Sequence, residues 1–174
     1  NIYGEKYSGK THLANIFLKK FKGIKIKANS FGNKNLNEIK IYENIILDNF
    51  DQNIDEYLIY SLFNIIDQDN KYLIINSLTP INEMNFKLDD LKSRTKNCLV
   101  AKIDKPDDEL MFALILKNFS DRQIAIDKKL INFIIKRVDR SYGKIFEFIY
   151  KIDEISLKRK KSIDFKIIKE VLRA

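Results

Sequence analysis

Apolar positions along this chain follow two rhythms, one before Pro106 and another after it. Leu13, Ile16, Phe17 and Phe21 recur at helical spacing, and Gly23 stops the run. Ile24 and Ile26 then alternate with Lys25 and Lys27, the pattern of a half-buried strand. Ile45-Ile46-Leu47 and Tyr72-Leu73-Ile74-Ile75 are continuous apolar runs, closed by Asp48 and by Asn76 with Ser77, as buried parallel strands are. Asn1-Ile2-Tyr3 reads as the end of another strand, and Leu99-Val100-Ala101 with Ile103 as a last one. Leu58, Leu62, Ile65 and Ile66 predict a helix over 57–66, and Leu88 to Arg94 a shorter one. The polar stretch 29–37 predicts a loop, with a short helix towards Lys40. Strands and helices alternating in this way predict a three-layer parallel α/β sheet.

Beyond Pro106 the strand pattern ends. Asp107-Asp108-Glu109 sets negative charge just after a proline, which suits a helix N-terminus. Asp127 caps a second helix running to Val138, a third spans 143–158, and Asp164 caps a fourth ending near Leu172. The expected organisation is an α/β domain at 1–104, its first strand cut short, followed by an all-helical subdomain at 105–174.

The chemistry concentrates where the first strand meets the first helix. Gly4-Glu5-Lys6-Tyr7-Ser8-Gly9-Lys10-Thr11 has the spacing of a phosphate-binding loop. Gly4 and Gly9 permit backbone torsions that turn successive N–H groups into one cavity. The helix that follows adds its positive N-terminal end. Lys10 can reach the β and γ oxygens of ATP or ADP, and the Thr11 hydroxyl can ligate Mg²⁺. The plain alternative is a glycine-containing turn that binds nothing; the strand on one side and the helix on the other favour the phosphate loop.

Asp48, at the end of a buried strand, is placed to hold the water shell of a metal opposite the phosphates. The next residue, Asn49, cannot act as a base, and Asp51 lies two residues further on, so slow or absent intrinsic hydrolysis is expected. Asn76 ends its strand with a neutral amide that can orient a water or contact a γ-phosphate, or simply cap the strand. His12 follows the loop with no nucleophile suggested nearby and reads as structural, beside the nucleotide's edge. The aromatic residues sit at helical spacing and read as core. Arg94, by its chemistry alone, reads as a solvated surface arginine.

Composition changes this picture little. The formal net charge is +8 and the pI about 9.4. A nucleic-acid partner would produce that balance, and so would the Lys-, Asn- and Ile-rich usage of an A+T-rich genome; direct DNA binding is not expected as the primary activity. Cys98 is the one cysteine and His12 the one histidine, which excludes an internal disulfide and most transition-metal sites built from His and Cys. A reducing, cytoplasmic setting is expected. No apolar run approaches a membrane span, so no membrane partner is expected. The chain does not open on Met, so residues upstream of Asn1 are expected in the native protein.

Gly9-Lys10-Thr11-His12-Leu13 resembles the AAA+ family of the replication initiator DnaA and its relative Hda. Ile45-Ile46-Leu47-Asp48-Asn49 resembles the acidic strand in its Hda version. Leu91-Lys92-Ser93-Arg94 resembles the arginine-finger segment, and Ile103-Asp104-Lys105-Pro106 the junction into the lid. Lys136-Arg137-Val138-Asp139-Arg140 resembles the start of the sensor 2 segment, and Ser162-Ile163-Asp164-Phe165 with Lys169-Glu170-Val171-Leu172 the last lid helix. The resemblance implies a AAA+ core with a helical lid, Asn76 as sensor 1, and Arg94 acting in trans on the nucleotide of a neighbour. It further implies a regulator, held on the DNA sliding clamp, that drives a DnaA-type initiator into its ADP form, and AAA+ self-association. The clamp-binding segment itself is not visible in these residues. Where relatives keep a lid arginine this chain has Gly143, so Lys144 or Arg140 is the expected sensor. The alternatives are the ATPase core of an initiator, with a DNA-binding domain beyond Ala174, and an independent P-loop ATPase or kinase.

Overall fold

The computed structural model describes residues 1–173; Ala174, the last residue of the expected helical subdomain, lies outside them. Two compact units form: Asn1–Gly4 with Gly9–Ile103, and Glu5–Ser8 with the chain from Asp104 onward.

The first unit is built on a sheet of five parallel strands: β1 (Ile2–Tyr3), β2 (Gly23–Lys27), β3 (Asn44–Phe50), β4 (Tyr72–Ser77) and β5 (Ala101–Lys102), in the order β2-β3-β4-β1-β5. Its helices are α1 (Lys10–Lys20), α2 (Asn33–Glu38), α3 (Glu56–Gln68) and α4 (Asp89–Lys96). Ile45, Ile46 and Leu47 of the central β3 are all buried, so both faces of that strand are covered. Ile45 and Leu47 join Ile59 and Leu62 of α3 in one core, whereas α1 packs against β2, β3 and β4. Gly23 admits the close approach of β2 to β3: a Cβ there would lie 2.2 Å from the Asn44 carbonyl oxygen.

Two strands depart from the expected bounds. β3 continues past Asp48 to Phe50. Leu47 pairs with Ile75 and Phe50 with Ser77, so one extra residue bulges between them. Asn49 takes it up with φ 57°, a left-handed conformation that asparagine tolerates. β5 begins at Ala101, leaving Leu99 outside the strand and 90% exposed. Its ladder is limited by β1, through Ala101 N–H to Asn1 O at 2.8 Å and Ile103 N–H to Tyr3 O at 2.7 Å.

Beyond Glu5–Ser8, the second unit is helical: α5 (Asp108–Asp121), α6 (Lys128–Ile135), α7 (Tyr142–Arg159) and α8 (Phe165–Arg173). Asp107 accepts from Leu110 N–H, Asp127 from Lys129 N–H and Asp164 from Ile167 N–H, at 2.8, 2.8 and 2.9 Å, so the three aspartates expected at helix starts serve there. α6 stops at Ile135, short of Val138, and α7 starts one residue before the expected Gly143 because Ser141 is its N-cap. Met111, Ile115, Phe119, Ile131, Ile149 and Ile168 lie at 0% exposure in the core of this unit. Ile149→Ala is expected to cost about 2–5 kcal/mol of stability, read from urea unfolding. Among the described residues no helix is long and apolar enough to cross a membrane.

Candidate nucleotide-binding site

The sequence places Gly4 at the end of β1 and Lys10 at the start of α1, and the α/β unit brings both beside the ends of the central strands. Gly4 N–H donates to Ser77 O at 3.3 Å. Gly9, at φ 91°, is the N-cap of α1, a torsion that favours glycine. Lys10 is 7% exposed, and its Nζ donates to Gly4 O at 2.7 Å. An ammonium group so far removed from water is held by hydrogen bonds and becomes a fixed positive charge at the helix start.

Thr11 is the next residue, and its hydroxyl donates to the Asp48 carboxylate, 2.9 Å from Oδ2 and 3.2 Å from Oδ1. Asn76, on the neighbouring strand, donates from Nδ2 to Asp48 Oδ1 at 2.9 Å. Three predicted residues, from α1, β3 and β4, thus meet around one carboxylate that is 2% exposed. Asn76 is wholly buried, and its Oδ1 has no protein hydrogen-bond partner. A buried acceptor left over beside a buried carboxylate and a hydroxyl is an all-oxygen donor set, the kind a hard cation such as Mg²⁺ accepts. No group of three or more His, Cys, Asp or Glu capable of holding a metal occurs among the described residues. A magnesium ion here would therefore complete its shell from water and phosphate oxygens.

Other predicted positions fall elsewhere. His12 is exposed on α1. Asn49 is exposed after Asp48, and Asp51 accepts from Asn53 N–H at 2.8 Å in a turn.

Arg94 is partly exposed, with its side chain at 30%, but it is paired and not freely solvated. On α4, its guanidinium pairs with Asp67, donates to Asn64 Oδ1 at 2.7 Å, and lies 5.4 Å from the Tyr60 ring centroid. All three partners sit on α3. Glu56, the first residue of α3, accepts from Lys87 N–H at 2.9 Å and Leu88 N–H at 2.8 Å, fixing the start of α4. The Leu88 and then the Lys87 amide hold the Glu56 carboxyl below the usual glutamate range. A lowered carboxyl stabilises the fold above its unfolded pKa and loses that effect as pH falls through the folded value. Glu56→Gln is expected to flatten the fall in thermal stability below about pH 4, measured by melting across pH.

In the helical unit, Glu5 is bonded to the start of α7. Its Oε2 accepts from Ser141 Oγ at 2.8 Å and its Oε1 from Tyr142 N–H at 2.5 Å. A carboxylate at a helix N-terminus contributes about 0.3–1 kcal/mol from the dipole alone, and its hydrogen bonds add to that. Tyr7 adopts φ 68°, at about 1–2 kcal/mol for a non-glycine residue. Its ring lies 5.1 Å from that of Phe146. Lys6 stands 5.5 Å from the Tyr7 ring centroid, and Ser8 N–H donates to Glu5 O at 3.3 Å. Lys144 is exposed and meets Glu147 at 3.2 Å. Burial, then the Glu5, Asp107 and Asp104 carboxylates, raise the Tyr142 phenol above its ordinary range.

Sequence reading missed Glu5 as a cap for α7, and Asn64 and Asp67 as partners of Arg94. Ser141, with its N-cap chemistry just before a helical run, marks the start of α7 but gives no sign of Glu5. The second is a long-range pairing with no local signal.

A parallel sheet ordered β2-β3-β4-β1-β5, with the Gly4–Thr11 loop after β1 and an acid on β3, is a AAA+-type P-loop fold. The Hda lid domain family matches residues 107–172. The initiator DnaA of Thermoanaerobacter sp. strain X514 is 26% identical over 195 aligned residues, which take in 99% of this chain and 44% of that protein. Domain III of Thermotoga maritima DnaA superimposes with a TM-score of 0.78 at 22% identity, covering 99% of this chain and 82% of that one. AMPPCP-bound DnaA from Aquifex aeolicus gives a TM-score of 0.67 at 22% identity, covering 90% and 55%. The chain therefore shares the fold of DnaA domain III, and its residues 107–172 are similar to the Hda lid domain. It spans less than half the length of the curated initiator it matches.

Proposed function

We propose that this chain binds ATP or ADP at the Gly4–Thr11 loop and regulates replication initiation in the cytoplasm, Arg94 acting in trans on the nucleotide of a DnaA-type initiator. The cluster of Thr11, Asp48 and Asn76 beside the buried Lys10 carries the nucleotide reading. The AMPPCP in the Aquifex aeolicus relative supports it, and the Hda lid match supports the regulatory side.

In this reading the Gly4, Gly9 and intervening loop N–H groups and the start of α1 bind the phosphates, and Lys10 reaches the β and γ oxygens. Thr11 and Asp48 would hold Mg²⁺, which would supply neutralisation of the phosphate charge. Asn76 fixes the Asp48 carboxylate and offers its free oxygen to a water. Asn49 supplies no base, so turnover by the isolated chain is slow and the productive hydrolysis is the neighbour's. Residues 1–104 serve as the AAA+ core and 105–174 as its lid, where Lys144 would have to leave Glu147 to act as a nucleotide sensor. The initiator, the sliding clamp and AAA+ self-association are the proposed partners.

Calorimetric titration with ADP and ATP in Mg²⁺ tests the first half. Micromolar or tighter binding is expected, and heat-free titrations with both nucleotides would sink it. The second reading is the ATPase core of an initiator, favoured by the alignment of 99% of this chain to DnaA. Stimulation of a purified initiator's hydrolysis separates the two: a regulator accelerates it and an initiator core does not.

A further inference from the structure

The start of α7 has few means of its own to sense a nucleotide. Tyr142 is buried, Gly143 has no side chain, and Lys144 is engaged with Glu147 at 3.2 Å. The link runs the other way, from the loop to the helix. Glu5 binds Ser141 Oγ and Tyr142 N–H, and Tyr7 packs on Phe146, one turn further along the same helix. Two of the four inner loop residues are therefore fastened to the first turns of α7.

We propose that Glu5 is a positioning residue that couples the nucleotide state of the phosphate loop to the first turn of α7. The inference rests on the nucleotide-binding reading above and adds how occupancy is passed on.

A carboxylate inside a phosphate loop needs explanation, because it repels the polyphosphate that the loop's N–H groups attract. Docking on the positive end of α7 answers it: the charge meets a helix N-terminus and two donors. A bound polyphosphate makes every other position of that carboxylate less favourable, so occupancy tightens the cap on Tyr142 N–H. Tyr7 sharpens the effect. Its left-handed torsion is a conformation L residues seldom adopt, and the contact with Phe146 goes with it. Rotation of the Glu5–Ser8 peptides around a ligand therefore moves side chains already seated on α7. Length matters as well, since aspartate is one methylene shorter and glutamine keeps the shape with a single acceptor oxygen and no charge.

Amide hydrogen exchange across 141–148 of the full chain, with and without saturating ADP, tests this. In the wild type ADP is expected to slow exchange in the first turn of α7 several-fold. In Glu5→Ala, with ADP raised until titration shows full occupancy, that slowing is expected to vanish; Glu5→Gln, with one acceptor left, is expected to keep part of it. Slowing of wild-type size in Glu5→Ala would overturn the coupling, as would a wild type that binds ADP without any change in α7. Should the alanine variant bind no ADP, Glu5→Gln decides: full wild-type slowing overturns the proposal and partial slowing upholds it. A wild type that binds no adenine nucleotide at all would sink the binding reading, and this inference with it.

Discussion

Lys10→Ala is expected to abolish ADP and ATP binding in calorimetry while leaving the melting transition of the chain in place. The side chain is 7% exposed and sits 2.7 Å from Gly4 O, so its charge is delivered to the mouth of the loop with little freedom to lose on binding. Hydrogen bonds to charged groups are worth about 1.5–3 kcal/mol each, so removing two such bonds to phosphoryl oxygens weakens binding by roughly 10²- to 10⁴-fold. Such a drop moves a micromolar affinity beyond the reach of the titration. An affinity within a few-fold of wild type would mean that the ammonium group serves only the fold, through the Gly4 carbonyl.

Arg94→Ala is expected to remove stimulation of a DnaA-type initiator's ATP hydrolysis, measured as phosphate release with initiator in excess. A finger arginine stabilises charge developing on the γ-phosphate and is worth about 10³- to 10⁵-fold in rate. In this chain the guanidinium has occupants already, Asp67 and Asn64 of α3. It must exchange them for a neighbour's phosphate, and an exposed ion pair of this kind is worth only about 0–1 kcal/mol. Asp67→Asn should therefore leave stimulation intact or raise it modestly, whereas a loss equal to that of Arg94→Ala would show that the pair matters for shape alone. Full stimulation by Arg94→Ala would reject the trans role.

The fold is legible in the sequence because its signals are local. Ile45 to Leu47 is buried on both faces and reads as a continuous apolar run, and Asp107, Asp127 and Asp164 cap the helices they precede. The phosphate loop, Asp48 and Asn76 fall at strand ends by pattern alone, and Thr11, Asp48 and Asn76 do meet. Less legible are features set by partners distant in sequence. The extent of β5 depends on two residues of β1, the bulge in β3 on its register with β4, and the state of Arg94 on α3. Glu5 gives no local sign for a similar reason: its partners, Ser141 and Tyr142, lie more than a hundred residues downstream.

The left-handed turn at Asn49 limits how this chain could acquire a base of its own. A glutamate exchanged for Asn49 would have to hold φ near 57°, which costs about 1–2 kcal/mol for a residue without asparagine's tolerance. Its carboxylate would also start from an exposed backbone position. In the proposed reading, a base at position 49 would therefore sit on a strained, exposed residue unless the extra residue between Leu47 and Phe50 were removed with it.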